Sequence, residues 1–177
     1  MATFMHVTDA RIAASVQRSG LKPFLTKILL DDNVAEVHRA VYCVPVVANF
    51  QATFQWLREL KRSGYRTAVG VQFRIPDRQE VFFGKFNKPH LRLSAAEAIG
   101  LYMKSPDQRG LEVLVPRRVT AREILRVRKI PQLMGWRFFP ESKSTDSIWL
   151  PRKGEIKRRR FLASLSRKDD REHRDKS

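Results

Sequence analysis

The sequence predicts a single α+β domain followed by a basic, disordered C-terminal tail. Three observations predict it: short runs of alternating apolar residues, helix-capping signatures set between them, and the loss of apolar periodicity from Lys153 onward. With 177 residues, 42% hydrophobic and 30% charged, the chain is long enough to close a core without disulfides or a structural metal. The expected organisation is one domain over residues 1–151 and a tail over residues 152–177.

Thr3 to Val7 alternates as a strand does, and Asp9 then stands where a helix N-cap belongs. Ile12, Ala13 and Val16 share a helical face, and Gly20 ends that helix, with Pro23 close behind. Residues 24–35 read equally as a short strand or a loop. Val41 to Val47 is a β-branched run that Pro45 demotes to a short or edge strand. Asn49 caps the clearest helix of the chain, with Phe50, Phe54, Leu57 and Leu60 at helical spacing and Gly64 as its stop.

Ala68 to Ile75 and Glu80 to Gly84 predict two strands joined as a hairpin by Pro76, Asp77 and Arg78. Ser94 and Glu97 have capping-box spacing and open a short helix to about Tyr102, and a polar loop runs from Lys104 to Gly110. Leu111 to Val115 is a strand, Thr120 and Glu123 form a second capping box, and Leu125 to Ile130 is the last strand. No internal repeat is visible.

Thirty-five Lys and Arg against eighteen Asp and Glu give a formal charge of +17. Residues 152–177 carry eleven basic and five acidic groups, so +11 falls on residues 1–151 and the domain is basic in its own right. Such a field draws in polyanions, which makes a nucleic acid or nucleotide the expected partner, with solubilising surface charge as the plain alternative. Lys157 to Arg160 is a basic cluster that suits RNA, DNA or an acidic partner as well as a solvated terminus. One cysteine, Cys43, allows no internal disulfide, and four scattered histidines give no zinc spacing, so no metal is expected. The start of the chain has no signal-peptide pattern and no apolar run approaches the roughly 18 residues of a membrane span. The expectation is a cytoplasmic protein that does not engage a membrane.

His6, Val7 and Thr8 at the end of a first strand, Tyr42 on a second and Glu112 opening a late one are the candidate site residues. Singly, each has an ordinary structural reading. Their order and surroundings, carried by Met5-His6-Val7-Thr8, Ser19-Gly20-Leu21-Lys22-Pro23, Ala40-Val41-Tyr42-Cys43 and Gly110-Leu111-Glu112-Val113-Leu114-Val115-Pro116, resemble the NAD-dependent ADP-ribosyltransferases of the His-Tyr-Glu type. The Val-Pro-x-x-Val-x-x-x-x-Ile stretch from Val115 to Ile124 resembles the continuation after the catalytic Glu in that family. The resemblance spans about residues 4–130 in motifs of three or four residues and implies a split β-sheet core.

It also implies roles. Glu112 would hold the nicotinamide-ribose 2′-hydroxyl as an oxocarbenium-like charge develops, His6 a ribose hydroxyl, and Tyr42 the nicotinamide ring by stacking. Val7 would offer its main chain to the carboxamide, and Thr8 a supporting hydrogen bond. Two positions depart from the family: Val7 stands where many relatives have Gly, and Gly110 where transferases acting on protein arginines carry Glu or Gln. Modification of arginine is therefore not expected, and a nucleic acid acceptor is favoured by charge alone.

Arg74, Arg78, Lys85 and Lys88, with Arg117, Arg118 and Arg122, are the candidate nucleic-acid contacts, and one of Phe82, Phe83 and Phe86 is a candidate base-stacking residue. Two alternatives stay open: an NAD-dependent RNA 2′-phosphotransferase, which His38 and Arg39 would serve, and a non-catalytic nucleic-acid-binding protein. A nuclease lacks an acidic cluster, although folding is free to bring His38, His90 and an acidic group together. The setting (toxin, defence component or effector) and any neutralising protein partner are open.

Overall fold

A computed structural model of the chain describes residues 1–30, 34–62 and 64–138. The expected domain boundary at Pro151, the tail at 152–177 and its Lys157 to Arg160 cluster lie outside the described residues. Among the described residues the architecture is α+β, an eight-stranded and mostly antiparallel sheet with a few short helices.

The strands are β1 (Ala2–Asp9), β2 (Phe24–Leu29), β3 (Ala35–Pro45), β4 (Ala68–Ile75), β5 (Glu80–Lys85), β6 (His90–Ser94), β7 (Leu111–Val115) and β8 (Ile124–Lys129). Their order is β6-β5-β7-β3-β1-β4-β8, with β2 added to β3. Strand β3 is the hinge of this order because it exchanges partners along its length. It pairs with β2 over Ala35 to Ala40, with β7 over Val41 to Cys43, and with β1 at Val44 and Pro45. The reading of this run as a short or edge strand is thus corrected. Pro45 sits at the strand's last position, where its missing N–H interrupts nothing further, and the polar half upstream is made a strand by β2.

The hairpin expected across Pro76 is also corrected. The turn forms, with the Gln79 N–H donating to the Pro76 carbonyl, but the flanking strands part company. β1 and β8 occupy the two edges of β4, while β6 and β7 occupy those of β5, so the turn links opposite halves of the sheet. Strand β6, His90–Ser94, has no counterpart among the elements that the sequence predicts.

Helix α1 (Ala13–Ser19) begins after a 3₁₀ turn, Ala10–Ile12, that Asp9 caps by accepting the Arg11 N–H. Gly20 ends α1 with φ +77, and a Cβ there would collide with the Val119 carbonyl. The long helix expected from Asn49 is instead two pieces, α2 (Phe50–Thr53) and α3 (Leu57–Arg62). Asn49 does cap the first, accepting the Ala52 N–H. The break falls at Gln55, which is fully buried and engaged by both main chain and side chain. Its carbonyl accepts the Trp136 N–H; its amide donates to the Tyr102 hydroxyl and the Leu111 carbonyl and accepts the Gly110 N–H at 2.7 Å. These bonds hold residue 55 out of helical register. Helix α4 (Ala95–Lys104) carries the predicted capping box of Ser94 and Glu97, and Thr120 and Glu123 form the other over a 3₁₀ turn.

The core lies on both faces of the sheet. Phe4, Val71, Phe73, Phe83, Val113 and Tyr102 form the main cluster, while Met5, Val44, Phe54 and Leu57 form a second and Ile28, Ala40, Phe82 and Leu114 a third. Adjacent residues Phe82 and Phe83 are therefore both buried, on opposite faces. The Gln55 network is the polar tie among α2, α4 and β7. Replacing Gln55 with Ala strands the Gly110 N–H, so the variant should unfold at lower denaturant with a loss of at least about 2 kcal/mol, measured by equilibrium urea denaturation.

Candidate active site

Had the β1–β3 ladder continued past Met5 and Val44, His6 would oppose Cys43 and Val7 would oppose Tyr42. It stops there because β3 turns to β7, and the strands open a wedge. A cavity of about 270 Å³ occupies that wedge, lined by His6 and Val7 from β1, Thr26 and Lys27 from β2, Tyr42 and Cys43 from β3 and Glu112 from β7. Thr53 from α2, Trp56 from the break, and Glu59 and Leu60 from α3 also line it, with Tyr65 after them. Residues distant in sequence thus share one surface because a single strand serves both halves of the sheet.

His6 is buried, and its Nδ1 lies 2.7 Å from the Tyr42 carbonyl. A carbonyl only accepts, so Nδ1 carries the hydrogen. Burial holds the pKa of His6 below its ordinary value, against the opposing effect of that bond. The neutral ring therefore keeps Nε2 as an acceptor, suited to a donor such as a sugar hydroxyl. Tyr42 shares a hydrogen bond with the Thr26 hydroxyl, and burial, with a smaller repulsion from Glu112, pushes its pKa up to about 12. It is a neutral phenol with an aromatic face.

Glu112 is 4% exposed. Its approach is fixed by Gly110, whose φ of +78 is a left-handed conformation that glycine tolerates and other residues resist. That backbone, together with the bond from its N–H to Gln55, explains why the position two before Glu112 bears no side chain. Burial raises the pKa of Glu112, while the hydrogen bond and charge of His90 pull it down. His90 Nε2 lies 3.2 Å from Oε1, and both side chains are 5% exposed. Cys43, also in the cavity wall, donates to the Val113 carbonyl, and burial pushes its thiol well up, with Glu112 adding to the shift. It is a thiol, not a thiolate nucleophile.

Of the expected site residues, His6, Val7, Tyr42 and Glu112 line the cavity. Thr8 is buried behind it, hydrogen-bonded to Tyr65. The expected nucleic-acid contacts do not line it. Arg74, Lys85, Lys88 and Arg122 are exposed, and Arg78 is exposed at the Pro76 turn. Arg117 braces the fold through Glu123 at 2.6 Å and Gln79 at 2.8 Å, and Arg118 donates to the Ser19 carbonyl. Phe82 and Phe83 are core residues, and Phe86 packs edge-on against Trp56 at 5.4 Å.

Sequence reasoning missed Trp56, Tyr65, Thr26, Lys27 and Glu59 as cavity residues, and of the grouping of His38, His90 and an acid that it left open, folding joins His90 to Glu112 and His38 to Glu36. Nothing in local spacing signals them, because they arrive through the α2–α3 break and through β2. His38, by contrast, bonds Glu36 at 2.6 Å and lies against Phe82, away from the cavity lining. Among the described residues, no three His, Cys, Asp or Glu side chains group closely enough to hold a metal ion. No helix there is long and apolar enough to cross a membrane.

Compared with protein-family models, curated proteins and solved structures, the chain matches none.

A carboxyl whose folded pKa lies above its unfolded value weakens the fold as pH rises from the unfolded value through the folded one. Glu112→Gln removes that penalty. Its melting temperature should exceed that of wild type at pH 8, and the gap should shrink toward pH 4, as read by differential scanning calorimetry.

Proposed function

We propose that the chain is an NAD-dependent ADP-ribosyltransferase, a glycosyltransferase that moves ADP-ribose from NAD to a macromolecular acceptor. The observation that carries the reading is the meeting of His6, Tyr42 and Glu112 on one cavity, though 36 and 70 residues separate them in sequence. Each was singled out by its motif, and each is buried or half-buried in a chemical state suited to its role. The partner exchange of β3 supports the split sheet that the resemblance implies.

In this reading the bond between the nicotinamide nitrogen and ribose C1′ breaks, the electron pair leaves with nicotinamide, and the ribose becomes oxocarbenium-like. Glu112 binds the 2′-hydroxyl and faces the growing positive charge in a site of low dielectric, where the attraction is strong. His6 accepts a ribose hydroxyl at Nε2, and Tyr42 offers its ring to nicotinamide. The cavity suits a ring and its sugar rather than a whole dinucleotide. Lys27, the one Lys or Arg lining it among the described residues, is the cation available to the diphosphate. An acceptor nucleophile then adds to C1′ and loses its proton. The charge of +17 favours a nucleic acid as acceptor.

The RNA 2′-phosphotransferase alternative draws on His38 and Arg39, which do not line the cavity. Incubating wild type and Glu112→Gln with labelled NAD, alone and with RNA, DNA or protein, tests the proposal. Wild type should release nicotinamide and label one acceptor class, and the variant should lose about 100-fold or more of that rate. Phosphate release from 2′-phosphorylated RNA would move the assignment to the phosphotransferase. If neither protein consumes NAD while both bind RNA or DNA with a steep salt dependence, the chain is a binding protein.

A further inference from the structure

Three strands place three residues in one row. In the register of the sheet, Gly84 on β5 is opposite His90 on β6 and opposite Glu112 on β7. The middle position has no side chain, and the His90 ring lies over it. A Cβ on Gly84 would stand 2.8 Å from His90 Cγ and 2.8 Å from the Pro89 carbonyl oxygen. The glycine is thus the opening through which an imidazole from one strand reaches a carboxylate two strands away. His90 lines no part of the cavity, whereas Glu112 does.

We propose that His90 is the positioning residue for Glu112, holding its carboxylate by Oε1 so that Oε2 is presented to the cavity. The function of that carboxylate rests on the transferase reading; the manner in which it is held does not. His90 Nδ1 is 2.9 Å from the Lys88 carbonyl and so carries a hydrogen. The contact between Nε2 and Oε1 then needs one further proton, since two lone pairs facing each other would repel. Either site for that proton makes one Nε2–Oε1 hydrogen bond that fixes the orientation of the carboxyl, and on the ring it leaves Glu112 charged although buried. The other titratable groups on the cavity are His6 from β1, Lys27 from β2, Tyr42 and Cys43 from β3, Glu59 from α3, and Tyr65. Of these, Tyr42 and Cys43 sense the Glu112 charge.

The test uses the full chain and compares wild type, His90→Gln and His90→Leu. Glutamine keeps a donor at the position of Nε2 and removes the charge; leucine removes both. In the first arm, without NAD, carbon-detected NMR follows the Glu112 carboxyl through pH. Its midpoint should rise by about one unit or more in His90→Gln, and thermal melts confirm that the proteins compared are folded. The second arm measures NAD turnover against pH. The acid limb of kcat/KM should move to higher pH in His90→Gln by the same interval, with each unit costing about tenfold in charged carboxylate below the midpoint. His90→Leu should lose kcat with little change in KM, and His90→Gln should recover much of that loss above the new midpoint. An unmoved carboxyl midpoint in folded His90→Gln overturns the inference whatever happens to NAD. A shifted midpoint in a protein that never consumes NAD overturns the transferase reading and leaves the pairing in place.

Discussion

The molecule depends on the backbone accounting of β3. Every N–H and C=O of a buried strand needs a partner, and β3 finds its partners on β2, β7 and β1 in turn. No single neighbour follows it from end to end. The change of partner at Cys43 and Val44 forces β1 and β7 apart just where both carry polar side chains. The cavity is therefore a product of strand pairing, and the imidazole of His6 takes up the Tyr42 carbonyl that a continuing ladder with β1 would have engaged.

Around that wedge, polar groups are buried in pairs rather than alone, as the cost of desolvation demands. His6 leans on a carbonyl, Tyr42 on Thr26, Thr8 on Tyr65, and Glu112 on His90. The effect is a surface whose side chains have few rotamers left to choose, which is the condition for acting on a charge without first reorganising. The two halves of the sheet bring different chemistry to it. The β1 side contributes a neutral acceptor, and the β7 side contributes a carboxyl paired with an imidazole.

Local sequence carried much of this. Alternation marked β1, and the strand β7, both capping boxes and the Gly20 stop were visible because they depend on neighbours within a few residues. The motifs around His6, Tyr42 and Glu112 also marked residues that fold together. What local sequence did not carry were the facts set by distant partners. Pro45 read as the sign of an edge strand, and the Pro76 turn read as a hairpin, because pairing choices belong to the whole sheet. The helix from Asn49 had flawless spacing, yet Gln55 bonds to Tyr102, Leu111 and Gly110 and breaks it. His90 pairs with Glu112 only because residue 84 is glycine, a relation among three strands that no spacing rule expresses.

The amide of Gln55 has a further consequence for how this chain can drift in sequence. One side chain satisfies the hydroxyl of Tyr102 on α4, the carbonyl of Leu111 and the N–H of Gly110, so these positions form one hydrogen-bonded unit whose substitutions do not add independently. Tyr102→Phe leaves a donor of Gln55 with less to bind; Gln55→Leu leaves the start of β7 unsatisfied; neither change is neutral alone. Lineages descended from this fold should keep Gln55 and Tyr102 or exchange the two together, and the strand that bears Glu112 would inherit whichever arrangement they reach.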